Sequence, residues 1–166
     1  MPPLPLDQLR ASSQAPVSSA QLLARVLLVD DMETDILIAR RLLFDAKGLQ
    51  CAFEYACSSA EAMQRLISAH EAGRRFDLVL LDISMPGEDG YVLLKQIRDN
   101  VQLRATPVIM VTGSVAEAHR SEARLHGAIG YISKPPTMDK LRPILEQLPL
   151  LDVYDEGDGH SLLHIA

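Results

Sequence analysis

Five residues in this 166-residue chain carry the chemistry: Asp30, Asp31, Asp82, Thr112 and Lys134. Each closes a short apolar run, in "VLLVDD", "LVLLD", "VIMVT" and "YISK". A single aspartate after such a run is ordinarily a turn or helix-cap residue. The set reads differently if the runs are parallel strands, because all their carboxyl ends then share one edge, where α/β domains bind ligands. Two carboxylates ~4 Å apart repel by about 4 kcal/mol at an effective dielectric of 20, so three together call for a cation. Ligation by oxygen alone favours Mg²⁺ over zinc, which takes His or Cys. A hard divalent ion, an ammonium, a hydroxyl and a rigidly presented carboxylate are the groups that assist phosphoryl transfer, with one aspartate as nucleophile.

The elements that must position these residues follow from the hydrophobic period. After "VLLVD" comes a helix-period stretch, Thr34 to Asp45, with Gly48 as its stop. "CAFEYAC" alternates like a strand and leads into "SSAEAMQRLISAHEAG", which has a Ser and Glu near its start and Gly73 at its end. "LVLLD" precedes a turn-rich loop and the helix "GYVLLKQIRDN". "PVIMVTG" precedes a helix from Val115 to His126, and "AIGYISKPP" supplies a fifth strand. Thr137 is placed to cap a last helix, Met138 to Leu148, which Pro143 should kink or shorten. The "KP" after the fifth strand is a place where a cis peptide is expected. Five strands alternating with helices predict a doubly wound α/β domain with a five-stranded parallel sheet covered on both faces.

Composition narrows the function classes. Hydrophobic residues make up 48% and charged residues 23% of the chain, ordinary globular usage. The net charge of −6 with no basic run argues against a nucleic-acid surface. No apolar run approaches the ~20 residues a membrane span needs, and the N-terminus lacks the pattern of a secretory signal, so a cytoplasmic location is expected. Residues 1–24, rich in Pro, Ser and Gln, read as a flexible leader, 25–148 as the domain and 149–166 as a tail expected to fray. Docking of that tail on its own domain or on a second subunit is the competing expectation. Cys51 and Cys57 read as reduced packing thiols. His160 and His164 would share a face only if the tail were helical.

The motifs "VLLVDD", "VLLDISMPGEDGY", "VIMVTG" and "YISKP" occur in the order and spacing of receiver domains of bacterial two-component response regulators, a resemblance covering Arg25 to Leu148. It implies the flavodoxin-like strand order 2-1-3-4-5 and Mg²⁺ as cofactor. Asp82 would be the phospho-acceptor, and Asp30, Asp31, Asp82 and the Ser84 backbone carbonyl the metal ligands. Thr112 and Lys134 would contact the phosphoryl group, while Thr112 and Tyr131 form the switch pair. Ser84 and Ser114 match sites that tune dephosphorylation in relatives. Pro136 and Pro143 depart from the family pattern next to the face that usually carries output.

The expected function is that of a single-domain response regulator, a signalling protein rather than an enzyme. It would be phosphorylated by a sensor histidine kinase or a histidine phosphotransfer protein and would change its affinity for a downstream protein or its own oligomeric state. A constitutive pseudo-receiver adaptor and a phosphate sink are the alternatives. An aspartate-nucleophile phosphohydrolase would carry D-x-D where this chain has Asp82 and Ser84, and a dinucleotide-binding domain would carry G-x-G-x-x-G after its first strand. The segment "SAHEAGRRFD" resembles stand-alone receivers paired with bacterial phytochromes, which often dimerise through the side that carries the tail, so a homodimer is among the expected arrangements.

Overall fold

Strands Arg25–Val29 (β1), Ala52–Ala56 (β2), Leu78–Asp82 (β3), Val108–Thr112 (β4) and Gly130–Ser133 (β5) form the central sheet of the computed structural model. The structure describes residues 23–45, 49–85, 88–113, 122–155 and 161–165. All four neighbouring pairs are parallel, in the order β2-β1-β3-β4-β5. This is the doubly wound order expected from the sequence. The central strands β1, β3 and β4 are apolar along almost their whole length because helices cover both their faces.

Strand alternation sorts the core into two layers. Leu27, Val29, Val79 and Leu81 pack with helices Ser59–Glu71 (α2) and Gly90–Asp99 (α3), through Ala62, Leu66, Leu93, Leu94 and Ile97. Val26, Leu28, Leu78, Leu80 and Ile132 face the other way, toward Ile36 and Ala39 of helix Glu33–Arg40 (α1) and Leu141 and Leu145 of the last helix, Met138–Leu145 (α5). Residues 122–125 are helical (α4), and the rest of the expected Val115–His126 helix, with Ser114, lies largely outside the described residues. The leader up to residue 22, Gly48 and the loop residues 86–87 also lie outside them. Among the described residues no helix is long and apolar enough to cross a membrane.

Local chemistry explains the helix ends. Ser58 Oγ accepts from the Glu61 backbone N–H at 3.1 Å, and Glu61 Oε2 accepts from the Cys57 N–H at 2.9 Å, a reciprocal cap that starts α2. Gly73, at φ +70°, turns the chain out of that helix. The first helix is not α-helical to Asp45: it widens into a π-helical turn over Arg41–Asp45. Leu43 and Phe44 both turn inward there, Phe44 against Phe53 with ring centroids 4.3 Å apart. Thr137 occupies the N-cap position of α5 but makes no side-chain cap bond, and the helix ends at Leu145, two residues past Pro143 and short of the expected Leu148. Arg98 braces the loops that lead into β4 and β5, donating to the carbonyls of Thr106, Arg104 and Gly127.

The tail follows the competing expectation, docking on its own domain as strands. It does not fray: Leu151–Asp155 (β6) and Ser161–Ile165 (β7) pair antiparallel, and β7 also pairs parallel with Leu49–Gln50. Leu151 is buried in the α1/α5 layer beside Leu49, and Arg142 of α5 pairs with Asp155 at 2.6 Å. The apolar positions of β6 thus gain a core that a free tail would lack. Because 161–165 is strand, the helical spacing that would join His160 to His164 does not apply at His164; His160 lies outside the described residues. The cysteines are free thiols, Cys51 partly buried and Cys57 exposed. Burial pushes the Cys51 thiol up to about 12, which suits packing and not reactivity.

Candidate functional site

Strand parity decides which way the site opens. Asp30 and Asp82 continue the parity of Leu28 and Leu80, and Lys134 that of Ile132, so all three lie toward the α1 layer at the carboxyl ends of β1, β3 and β5. Thr112 and Tyr131 continue the opposite parity: Tyr131, paired in register with Met110, packs against the α2/α3 layer.

The carboxylates of Asp30, Asp31 and Asp82 each present an oxygen within 4.8 Å of the other two. Asp30, Asp82 and Thr112 are almost fully buried, at 3%, 2% and 2% exposure, so this crowding is not relieved by water. Asp30 serves two purposes. Its Oδ1 accepts from the Met32 N–H at 2.9 Å, forming the turn that launches α1, while Oδ2 faces Lys134 at 3.0 Å. Asp31 Oδ1 is buried and accepts no hydrogen bond from the described residues. A buried carboxylate oxygen left in this way, within an all-oxygen set of three acids, fits a hard divalent cation.

Lys134 is the counter-charge. Its Nζ lies 3.2 Å from Asp82 Oδ2, and the Lys134-Pro135 peptide that follows is cis, as the "KP" pair led us to expect. Burial by itself would lower the ammonium's pKa, but hydrogen bonds to Asp35 and Asp30 and the charge of Asp82 outweigh it and raise it well above the ordinary lysine value. Lys134 therefore stays charged at any physiological pH.

Close packing holds the Asp82 backbone. The Gly90 N–H donates to the Ile83 carbonyl at 2.9 Å, and a Cβ at Gly90 would collide with the Asp82 carbonyl oxygen. The glycine of "EDGY" is thus required by approach to the site strand, while Asp89 Oδ1 accepts from Tyr91 N–H at 2.9 Å and caps α3. Ser84 sits two residues beyond Asp82, in a short ladder where it pairs with Asp89.

Four of the five strand-end residues named from the sequence, Asp30, Asp31, Asp82 and Lys134, come together through their side chains, while Thr112 closes β4 on the opposite face and its carbonyl accepts from the Lys134 N–H at 2.6 Å. One participant was missed: Asp35, whose Oδ2 accepts from Lys134 Nζ at 2.7 Å, the shortest of that ammonium's three carboxylate contacts. The parity of Asp30 and Asp82 and the place of Asp35 on the first turn of α1 are sequence features, but the contact depends on which face of the sheet α1 packs against, which neither segment specifies. Beside these groups opens a cleft of about 290 Å³, walled by Leu28, Ile38, Ala39, Val111, Pro135 and Pro136.

A parallel α/β domain with three acids and a lysine at its strand ends defines a class, and comparison with known proteins specifies it. A family model described as the response regulator receiver domain matches residues 26–146. The chain belongs to that family. It is 32% identical over 124 residues to chemotaxis protein CheY-3 of Vibrio cholerae, covering 75% of this chain and 90% of the relative. It is 31% identical over 125 residues to two-component response regulator ARR2 of Arabidopsis thaliana, again 75% of this chain but 17% of that protein's length. Among solved structures, the bacteriophytochrome response regulator AtBRR superposes with a TM-score of 0.66 at 26% identity, covering 75% of this chain and 91% of the other. CheY4 of Vibrio cholerae gives 0.61 at 30% identity, covering 75% and 98%. The protein is accordingly a receiver of the two-component signal-transduction type.

Proposed function

We propose that Asp82 accepts a phosphoryl group from the phosphohistidine of a sensor kinase or a phosphotransfer protein, in the cytoplasm, and that the resulting aspartyl phosphate switches the affinity of this receiver for a downstream protein or its own oligomeric state. The observation that carries this reading is Asp82 itself: a buried carboxylate at a strand end, beside an ammonium and crowded by two further acids. In the transfer an Asp82 carboxylate oxygen bonds to phosphorus, the phosphorus–nitrogen bond breaks, and the imidazole leaves with the bonding pair and takes up a proton.

Asp30, Asp31, Asp82 and the Ser84 carbonyl would hold Mg²⁺, which would neutralise charge on the transferred group's oxygens. Lys134 places a fixed positive charge where the phosphoryl oxygens arrive. Thr112 and Tyr131 share the opposite face of neighbouring strands, so a pull on the Thr112 hydroxyl would be felt at the Tyr131 ring. A two-state shift of this kind needs only a difference of a few kcal/mol between states. On α1 and at its start, Met32, Leu37 and Ile38 are 50%, 54% and 41% exposed, an apolar surface suited to a helical donor. A phosphorylation-independent adaptor is the weaker reading, since it would bury crowded acids to no purpose.

The test is incubation with acetyl phosphate with and without Mg²⁺, followed by intact mass. We expect a gain of one phosphoryl group that needs Mg²⁺ and is absent in Asp82→Asn. No adduct, together with no binding of beryllofluoride to the native chain, would reject the assignment.

A further inference from the structure

We propose that Asp35 is a positioning residue for Lys134: it competes with the incoming phosphoryl group for the ammonium and so holds the receiver toward its unphosphorylated state. The inference rests on the reading of Asp82 as phospho-acceptor and goes beyond it by assigning a residue that acts on the reaction through Lys134.

An ammonium has three N–H donors. Two of those of Lys134 are committed to hydrogen bonds, to Asp35 at 2.7 Å and Asp30 at 3.0 Å, while Asp82 stands at 3.2 Å as an ion-pair contact. Lys134 is therefore drawn toward α1 rather than centred on Asp82. The three acids differ in what they could do if the ammonium left. The Asp30 and Asp82 side chains are only 5% and 3% exposed, so neither could replace Lys134 with water. Asp35 is 33% exposed and sits in the first turn of α1, where the helix dipole favours a negative charge. Asp35 is thus the partner that can be exchanged for solvent.

When a phosphoryl group arrives on Asp82, its oxygens need a donor from Lys134, and the contact that can be given up without stranding a buried charge is the one to Asp35. That contact is a charge-assisted hydrogen bond, and it must be weakened before Lys134 can turn fully to the phosphoryl oxygens. The effect is a bias against phosphorylation set by a residue that touches neither the metal ligands' cation nor the reacting phosphorus.

The test compares the full chain with Asp35→Asn, which keeps the side-chain shape, Asp35→Ala, and Glu33→Gln, which removes an exposed acid of the same helical turn that does not touch Lys134. Two quantities are read: the rate of phosphoryl gain from acetyl phosphate and the dissociation constant for Mg²⁺-dependent beryllofluoride. Releasing one charge-assisted, partly exposed contact should raise the rate and tighten beryllofluoride binding about fivefold in both Asp35 variants, and change them less than about twofold in Glu33→Gln. The gain should persist at about 1 M salt, where the Debye length of about 3 Å screens diffuse surface charge.

Unchanged or slower phosphorylation in both Asp35 variants overturns the proposal. So does an equal gain in Glu33→Gln that salt abolishes, which would mark a diffuse charge effect. A purely structural role for Asp35 would lower the thermal midpoint without raising either quantity, and that too counts against it. A native chain that neither gains phosphoryl nor binds beryllofluoride overturns the acceptor assignment itself, and this is told apart by the wild type alone.

Discussion

Two clusters of ion pairs, built from the same kinds of group, sit in this molecule to opposite effect. On the outer side of β2, Arg25 and Arg65 both pair with Glu54, and Arg65 also with Glu61, two cations to two acids with side chains 23% to 39% exposed. Arg25 further stacks over the Phe76 ring at 4.4 Å and lines an open groove of about 710 Å³. At the strand ends, the ammonium of Lys134 faces the carboxylates of Asp30, Asp35 and Asp82, and Asp31 crowds against Asp30 and Asp82 as a fourth acid. The outer network is balanced and wet, and contributes little per pair. The inner one is unbalanced and mostly buried, so it works against stability unless a cation or a covalent change completes it. Burial with a charge excess is the mark of a site that is meant to change state.

The largest expected effect is that of a divalent ion. Mg²⁺ at about a hundredfold over its dissociation constant should raise the unfolding free energy by about 2.7 kcal/mol, read by urea titration, and far less in Asp31→Asn. A midpoint indifferent to Mg²⁺ would break the argument that the acid excess awaits a cation.

Next, without divalent ions, Asp82→Asn should stabilise the fold by about 1–2 kcal/mol by relieving repulsion among buried acids. Glu54→Gln should instead destabilise by under ~1 kcal/mol, since Arg25 and Arg65 each lose a partner. Opposite signs sharpen the contrast between the clusters, and a shared sign would erase it.

The smallest effect concerns Glu61, whose pKa is lowered chiefly by the Cys57 backbone N–H, against a weaker opposing effect of burial, with Arg65 adding to the lowering. A depressed carboxylate stabilises the fold above its unfolded pKa of about 4.3 and loses that contribution as pH falls through its lower folded value. Glu61→Gln should therefore cost a few tenths of a kcal/mol near neutral pH, and the gap to wild type should close in acid. A gap that stays constant down to acid pH would assign the loss to packing instead.

The domain's class and the meeting of Asp30, Asp31, Asp82 and Lys134 were legible in the residues themselves, and the strand order through the resemblance to receiver domains. Apolar runs of strand length, separated by helical periods, leave few topologies, and a parallel sheet carries every strand's last residue to one edge. The reciprocal cap at Ser58 and Glu61 and the stop at Gly73 were legible too, because they depend on residues a few positions apart. What only the tertiary structure decided involves distant partners. Asp35 reaches Lys134 across 99 positions because α1 packs on the face toward which Asp30 and Asp82 point, an orientation set by helix packing. Strands β6 and β7 hold because Leu49–Gln50 offers an open edge and the α1/α5 layer accepts Leu151, a match no local propensity announces.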